Sequence, residues 1–89
     1  MYNEPHEKLK ALAHPVRVEI LKAVKESNSS SSKELYDLLG EGMSQSGFYQ
    51  HISSLRQAGI LDSSRRKNKV LLTVNIDAIR QAKELLNTL

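Results

Sequence analysis

The stretch MSQSGFYQHISSLRQAG, residues 43–59, decides how the rest of this 89-residue chain is read. Ser44 is of the type that caps a helix N-terminus by accepting from the orphan N–H groups of the first turn, and Gly59 can take the left-handed conformation that closes a helix. Between them Phe48, Ile52 and Leu55 recur at helical spacing and face a core, leaving Gln45, Ser46, Tyr49, Gln50 and Ser53 on the opposite side. That outer face carries no acid. Amide, hydroxyl and phenol groups on one helix face suit hydrogen bonding to base edges and phosphates in a DNA major groove, although any solvated helix also presents a polar side. Gly47 costs about 1 kcal/mol relative to Ala inside a helix, so it implies a close approach to DNA or to a neighbouring helix, or a later helix start. The setting has to decide.

Immediately upstream, Ser31 with Glu34 three residues on matches a capping box, and a short helix should run from there through Leu35, Leu38 and Leu39. Gly40 and Gly42 then break the pattern and supply a turn. Two short helices joined by a tight Gly-containing turn, the second with a polar outer face, make a helix-turn-helix. Further back, residues 3–13 read as a first helix with Asn3 as its cap, Pro5 in its first turn and a stripe of Leu9, Leu12 and Ala13. Pro15 ends that helix and starts another, in which Val16, Ile20, Leu21 and Val24 predict a largely buried element. The SNSSSS run at 27–32 has the composition of a flexible, exposed connector.

Downstream the period changes. Ile60 and Leu61 lead through DSSRRKNK into VLLTV, where Val70, Leu72 and Val74 alternate with Leu71 and Thr73. Lys67 and Asn68 form the expected tip, Asn being tolerant of positive φ, so the segment is a β-hairpin with a basic end, a wing. Asn75 caps a last helix with Asp77 in its first turn. Its apolar residues Ile76, Ile79, Ala82, Leu85, Leu86 and Leu89 are more than a lone terminal helix hides, and a partner helix should cover them.

The chain is of single-domain length, in the range where one core is marginal and a partner subunit helps. Of its net charge of +3, residues 44–69 hold +4, with Arg56, Arg65, Arg66, Lys67 and Lys69 against Asp62 alone, so the remainder is net −1. Positive charge confined to one region is the footprint of a polyanion-binding surface. With no Cys there is neither a disulfide framework nor a thiolate metal site. No apolar run is long enough to span a bilayer and the N-terminus lacks a signal-peptide core, so a cytoplasmic protein with no membrane partner is expected. No Gly-rich phosphate loop, H-E-x-x-H, G-x-S-x-G or local carboxylate pair occurs, which leaves no catalytic residue to name and argues against an enzyme.

Taken together, LKALAHPVRVEILKAV at 9–24, KELYDLL at 33–39 and the segment from 43 to 69 resemble the ArsR-type winged-helix repressors. Chains of that family carry an L-x-x-L-x-x-P-x-R opening and an S-Q-x-x-x-x-x-H-L recognition helix, then L-x-x-A-G-hydrophobic and a basic wing. The resemblance covers residue 9 to about residue 74. It implies a mainly α chain with a small β-hairpin, a single winged helix-turn-helix domain over residues 1–89 with four helices, the hairpin and a fifth helix. It further implies a homodimer joined by the first and last helices, which places Leu9, Leu12, Ile79, Ala82, Leu86 and Leu89 at the interface. The fourth helix would enter the major groove, the wing would lie on the phosphate backbone, and an effector would release the repressor.

The family's thiolate positions on the third helix are here Lys33, Glu34 and Tyr36, and the last helix has Asp77 and Glu84 but no His. His6, His14 and His51 are too scattered in sequence to form a local zinc site, so no metal and no cofactor is expected. His14 and His51 read as partly buried structural groups, and Arg17 as structural or as a backbone-phosphate contact. The expected partner is double-stranded DNA. Gln45 and Gln50 would read bases, because an amide pairs in a bidentate way with adenine, while Ser44, Ser46 and Tyr49 hold phosphates near the helix N-terminus and Ser53 completes the DNA-facing side. Arg65, Arg66, Lys67 and Lys69 would add sequence-independent attraction. The alternative is a winged-helix module that uses the same faces to bind protein.

Overall fold

The computed structural model describes residues 5–27 and 30–88. Its elements run α1 (Pro5–Leu12), α2 (Pro15–Ser27), β1 (Ser30–Ser31), α3 (Ser32–Leu39), α4 (Gln45–Gln57), β2 (Leu61–Arg66), β3 (Lys69–Val74) and α5 (Ile76–Asn87). Asn3, Asn28, Ser29, Leu89 and the side chain of His6 lie outside the described residues. Three of the predicted N-terminal caps lie among the described residues and make their hydrogen bonds. Ser31, Ser44 and Asn75 accept from the N–H groups of Glu34, Gly47 and Ala78. At the far end of α4, Gly59 has φ +78 and its N–H donates to the Arg56 carbonyl while that of Ile60 donates to Leu55, a Schellman closure.

The core is drawn from the helices and the sheet together: Ile20, Leu21 and Val24 of α2, Leu35 of α3, Phe48, Ile52 and Leu55 of α4, Ile60, and Leu61 and Leu72 of the sheet. Removing these aliphatic and aromatic surfaces from water is the main term holding the helices together, roughly 1.5–3 kcal/mol per fully buried side chain. α5 packs on α1, and its buried residues are the small Ala78 and Ala82.

Five expectations need correction. The serine run is not simply a connector, because Ser30 and Ser31 pair antiparallel with Leu72 and Leu71 and are buried, giving a three-stranded sheet of order β1-β3-β2. Strand pairing needs only backbone groups, and the serine hydroxyls are satisfied locally: Ser30 with Ser27 at 2.6 Å, Ser31 with Glu34. α2 is buried on one face only, with Val18, Glu19, Lys22 and Lys25 exposed. In α1 the inward residues are Lys8 and Ala11, while Leu9 and Leu12 are half-buried and Ala13 is exposed. Leu38 of α3 points outward at 69% exposure, and the positive φ at the hairpin tip falls on Lys67, at 54°, not on Asn68.

Candidate nucleic-acid interface

The turn before α4 is set by an aromatic ring. Tyr36 lies over Gly40, so close that a Cβ there would stand 2.3 Å from Tyr36 Cδ1, and the Tyr36 hydroxyl donates to the Met43 carbonyl at 2.9 Å. Gly40 is required by that approach, and its φ is negative. Gly42 serves differently: it has φ +80 and open space around it. The ring of Tyr36 in turn meets Phe48 and Tyr49 edge-on at 5.5 and 6.0 Å. Core packing, turn geometry and the start of α4 are thereby one unit. α4 starts at Gln45 as expected, so a later helix start does not account for Gly47, and a Cβ there would stand close to the capping Ser44 Oγ, at 3.0 Å.

Gln45, Ser46, Gln50 and Ser53 stand at the surface of α4, with Ser44 at its cap. Tyr49 is half-buried, its ring against the core and its hydroxyl accepting from Gln45 Nε2 at 3.2 Å. Arg65, Arg66, Lys67 and Lys69 are all exposed on the hairpin. The register pairs Arg66 directly with Lys69 and Arg65 with Val70, so Arg66 and Lys69 share one face of the ribbon and Arg65 takes the other. Like charges directly opposite in a ladder repel, which a bound polyanion would relieve. An open cleft of about 720 Å³ separates wing from helix, with Tyr49, Ser53 and Arg56 on one wall, Lys69 on another, and Lys33 and Glu34 of α3 at its rim.

Some of the contacts that shape this surface have no sequence signature. Arg56 donates to Ser63 Oγ at 3.0 Å and so ties the last turn of α4 to β2. Glu34 meets Lys69 at 3.8 Å, an exposed pair worth at most about 1 kcal/mol. His14 and His51, 37 positions apart, have ring centroids 4.3 Å apart, so the histidines that look scattered in sequence are partly assembled in space. Among the described residues no three His, Cys, Asp or Glu side chains converge as a metal-binding group. Arg17 donates from Nε to His51 Nδ1 at 3.2 Å. Burial first, then the nearby His14 and Arg17, hold His51 below its ordinary value of 6.5. Of the residues placed at a dimer interface, Leu9, Leu12 and Ile79 are half-buried, Leu86 is exposed at 52%, and Ala82 is already buried within the chain. No described helix is long and apolar enough to cross a membrane.

Comparison with known proteins bears on the same region. The helix-turn-helix domain family matches residues 12–64. The HTH-type transcriptional regulator YgaV of Escherichia coli (strain K12) is 34% identical over 71 residues, covering 80% of this chain and 70% of that protein. Among solved structures, the ArsR-like transcriptional regulator from Rhodococcus sp. RHA1 superposes with a TM-score of 0.80 at 18% identity, over 94% of this chain and 76% of its own. The homodimeric winged helix-turn-helix DNA-binding domain of a possible ArsR-family regulator from Mycobacterium bovis gives 0.73 at 17%, over 93% and 75%. At those identities the structural likeness speaks to the fold alone, while the domain match and the 34% relative speak to descent. The family is one of regulators and not of enzymes. The chain belongs to the helix-turn-helix family of transcriptional regulators, and its fold is the winged one seen in ArsR-like regulators.

Proposed function

We propose that this chain is a homodimeric, sequence-specific repressor acting on double-stranded DNA in the cytoplasm. The observation that carries the reading is the acid-free outer face of α4 standing across a cleft from a hairpin tip where Arg66, Lys67 and Lys69 concentrate positive charge. Gln45 is suited to reading adenine: one Nε2 proton is held by Tyr49 and the other, with Oε1, is left for a bidentate pair. Gln50 is the second reader, and Ser44 and Ser46 meet phosphates where the helix dipole favours anions. Support for the dimer comes from the homodimeric Mycobacterium bovis relative and from the apolar Ile76 and Leu86, half exposed on α5. Leu9, Leu12 and Ile79 extend that surface.

Base readers and phosphate binders separate experimentally. Gln50→Ala should relax sequence preference with little change in salt dependence. Arg66→Ala should weaken all duplexes about equally and lower the salt slope by about one. Equal behaviour of the two variants would refute the division of roles, and no binding of any duplex would return the chain to the protein-interaction reading.

A further inference from the structure

α4 is held from behind by a contact that none of the proposed DNA-facing residues shares. The Arg17 guanidinium of α2 donates to His51 Nδ1 in the middle of α4, and its terminal nitrogen donates to the Ala11 carbonyl in the last turn of α1 at 3.3 Å. The His14 ring, at the junction of α1 and α2, lies tilted against His51, and its own Nδ1 is buried without a partner among the described residues. One side chain thus joins the helix proposed to carry the dimer contact to the helix proposed to read DNA. The bond has a chemical condition. For Arg17 Nε–H to donate, His51 Nδ1 must present a lone pair, so His51 is neutral with its proton on Nε2. A second proton, on Nδ1, turns the acceptor into a donor facing a guanidinium.

Among the described residues no acid stands ready to stabilise that charge. The groups acting on His51 are His14 and Arg17; α2 carries Glu19, paired with Lys22 at the surface, and the exposed Glu26, α1 has the cations Lys8 and Lys10 besides Glu7, whose side chain lies outside the described residues, and α4 itself has no acidic residue. The acids of α3, Glu34 and Asp37, line the cleft on the other side of α4 with Tyr49 and Ser53.

We propose that Arg17 is a positioning residue that sets the pose of α4 through neutral His51, and that protonating His51 releases this tie and lowers affinity for duplex DNA. The inference rests on the DNA-reading function proposed above. Because burial, His14 and Arg17 all disfavour the charged imidazole, the tie is intact at neutral pH and yields only in acid. The sign is diagnostic. A histidine acting only as a surface charge would strengthen polyanion binding when protonated, whereas release of a positioned helix weakens it.

The test is a fluorescence-anisotropy titration with a labelled duplex retained from a random-sequence pool, at constant ionic strength, from about pH 7.5 down to about pH 5.5. The full chain, His51→Asn and Arg17→Ala are compared, with a melting curve for each at each pH. Asn keeps an acceptor at the δ position and does not titrate. The full chain should weaken about fivefold across the range, His51→Asn should change by less than about twofold, and Arg17→Ala should bind more weakly at neutral pH and respond little to acid. Constant or tighter binding of the full chain in acid, or an unchanged pH response in His51→Asn, overturns the proposal. The tie can also be tested without any variant: by linkage, adding the duplex must move the NMR titration of His51 downward, and an unmoved or raised titration refutes it. If no duplex is bound at neutral pH, the DNA reading itself fails; if a duplex is bound with the wrong pH response, only the positioning role fails.

Discussion

Replacing Gly40 by Ala puts the turn that launches α4 under a defined load. The added Cβ would lie 2.3 and 2.6 Å from Tyr36 Cδ1 and Cε1, and 2.7 Å from the Tyr36 carbonyl oxygen. Carbon contacts are comfortable at about 3.5–4.0 Å, so the ring must retreat by more than about 1 Å. It is not free to do so, being packed edge-on against Phe48 and Tyr49 and anchored by its hydroxyl to Met43. Overpacking of this kind costs about 1–3 kcal/mol, and loss of the hydroxyl bond about 0.5–1.5 kcal/mol more. The carbonyl contact persists even if the ring swings away. The expected loss is therefore about 2–4 kcal/mol, a fall in Tm of more than about 10 °C for a domain of this size. Thermal melting by circular dichroism at one fixed protein concentration measures it, the concentration mattering because the proposed dimerisation would contribute to Tm. Gly42→Ala is the comparison: its φ of +80 strains the new side chain by about 1–2 kcal/mol, but nothing lies within 4 Å of it. A Gly40→Ala protein within about 1 kcal/mol of the parent, or no less stable than Gly42→Ala, would refute the claim that the ring sets this turn.

Two further outcomes follow from exposure and titration. Leu86→Lys, at a position already 52% exposed in the single chain, should leave the fold within about 0.5 kcal/mol while shifting sedimentation toward the monomer; an unchanged dimer would place the interface elsewhere. For stability, His51 has a folded pKa below the 6.5 of the unfolded chain, so the folded state binds fewer protons. Its contribution is complete above about pH 6.5 and is lost as pH falls through the folded value, so the urea midpoint should decline on acidification below about 6.5, before carboxylates titrate. His51→Asn should lack that early decline, and an equal decline in both proteins would assign it to another group.

What could be read from sequence was what is local. Ser44, Gly59, Ser31 and Asn75 announce helix ends because a cap is a bond across three or four residues, and these caps are made as expected. The inward stripe of α4 at Phe48, Ile52 and Leu55 was legible for the same reason, its period being that of the helix. Strand β1 was not, since serine side chains carry no strand signal and its partners Leu71 and Leu72 lie far along the chain. Nor was the meeting of His14, Arg17 and His51, which depends on how α1, α2 and α4 pack. Leu38 fits the apolar period of α3 yet faces outward, because an eight-residue helix can turn only a narrow stripe to the core, and Leu35 and Leu39 fill it. For the candidate interface, the polar face of α4 and the basic wing came from spacing and charge. Tyr36, Glu34 and Arg56, which shape and brace that surface, emerge only from the fold.

The measurement that tests the central claim most directly is selection of bound duplexes from a random-sequence pool at near-physiological salt. A dimer reading DNA with α4 should enrich an inverted repeat whose half-sites are one helical turn apart, about 34 Å. Retention of duplexes with no enriched sequence, or of none at all, would contradict it.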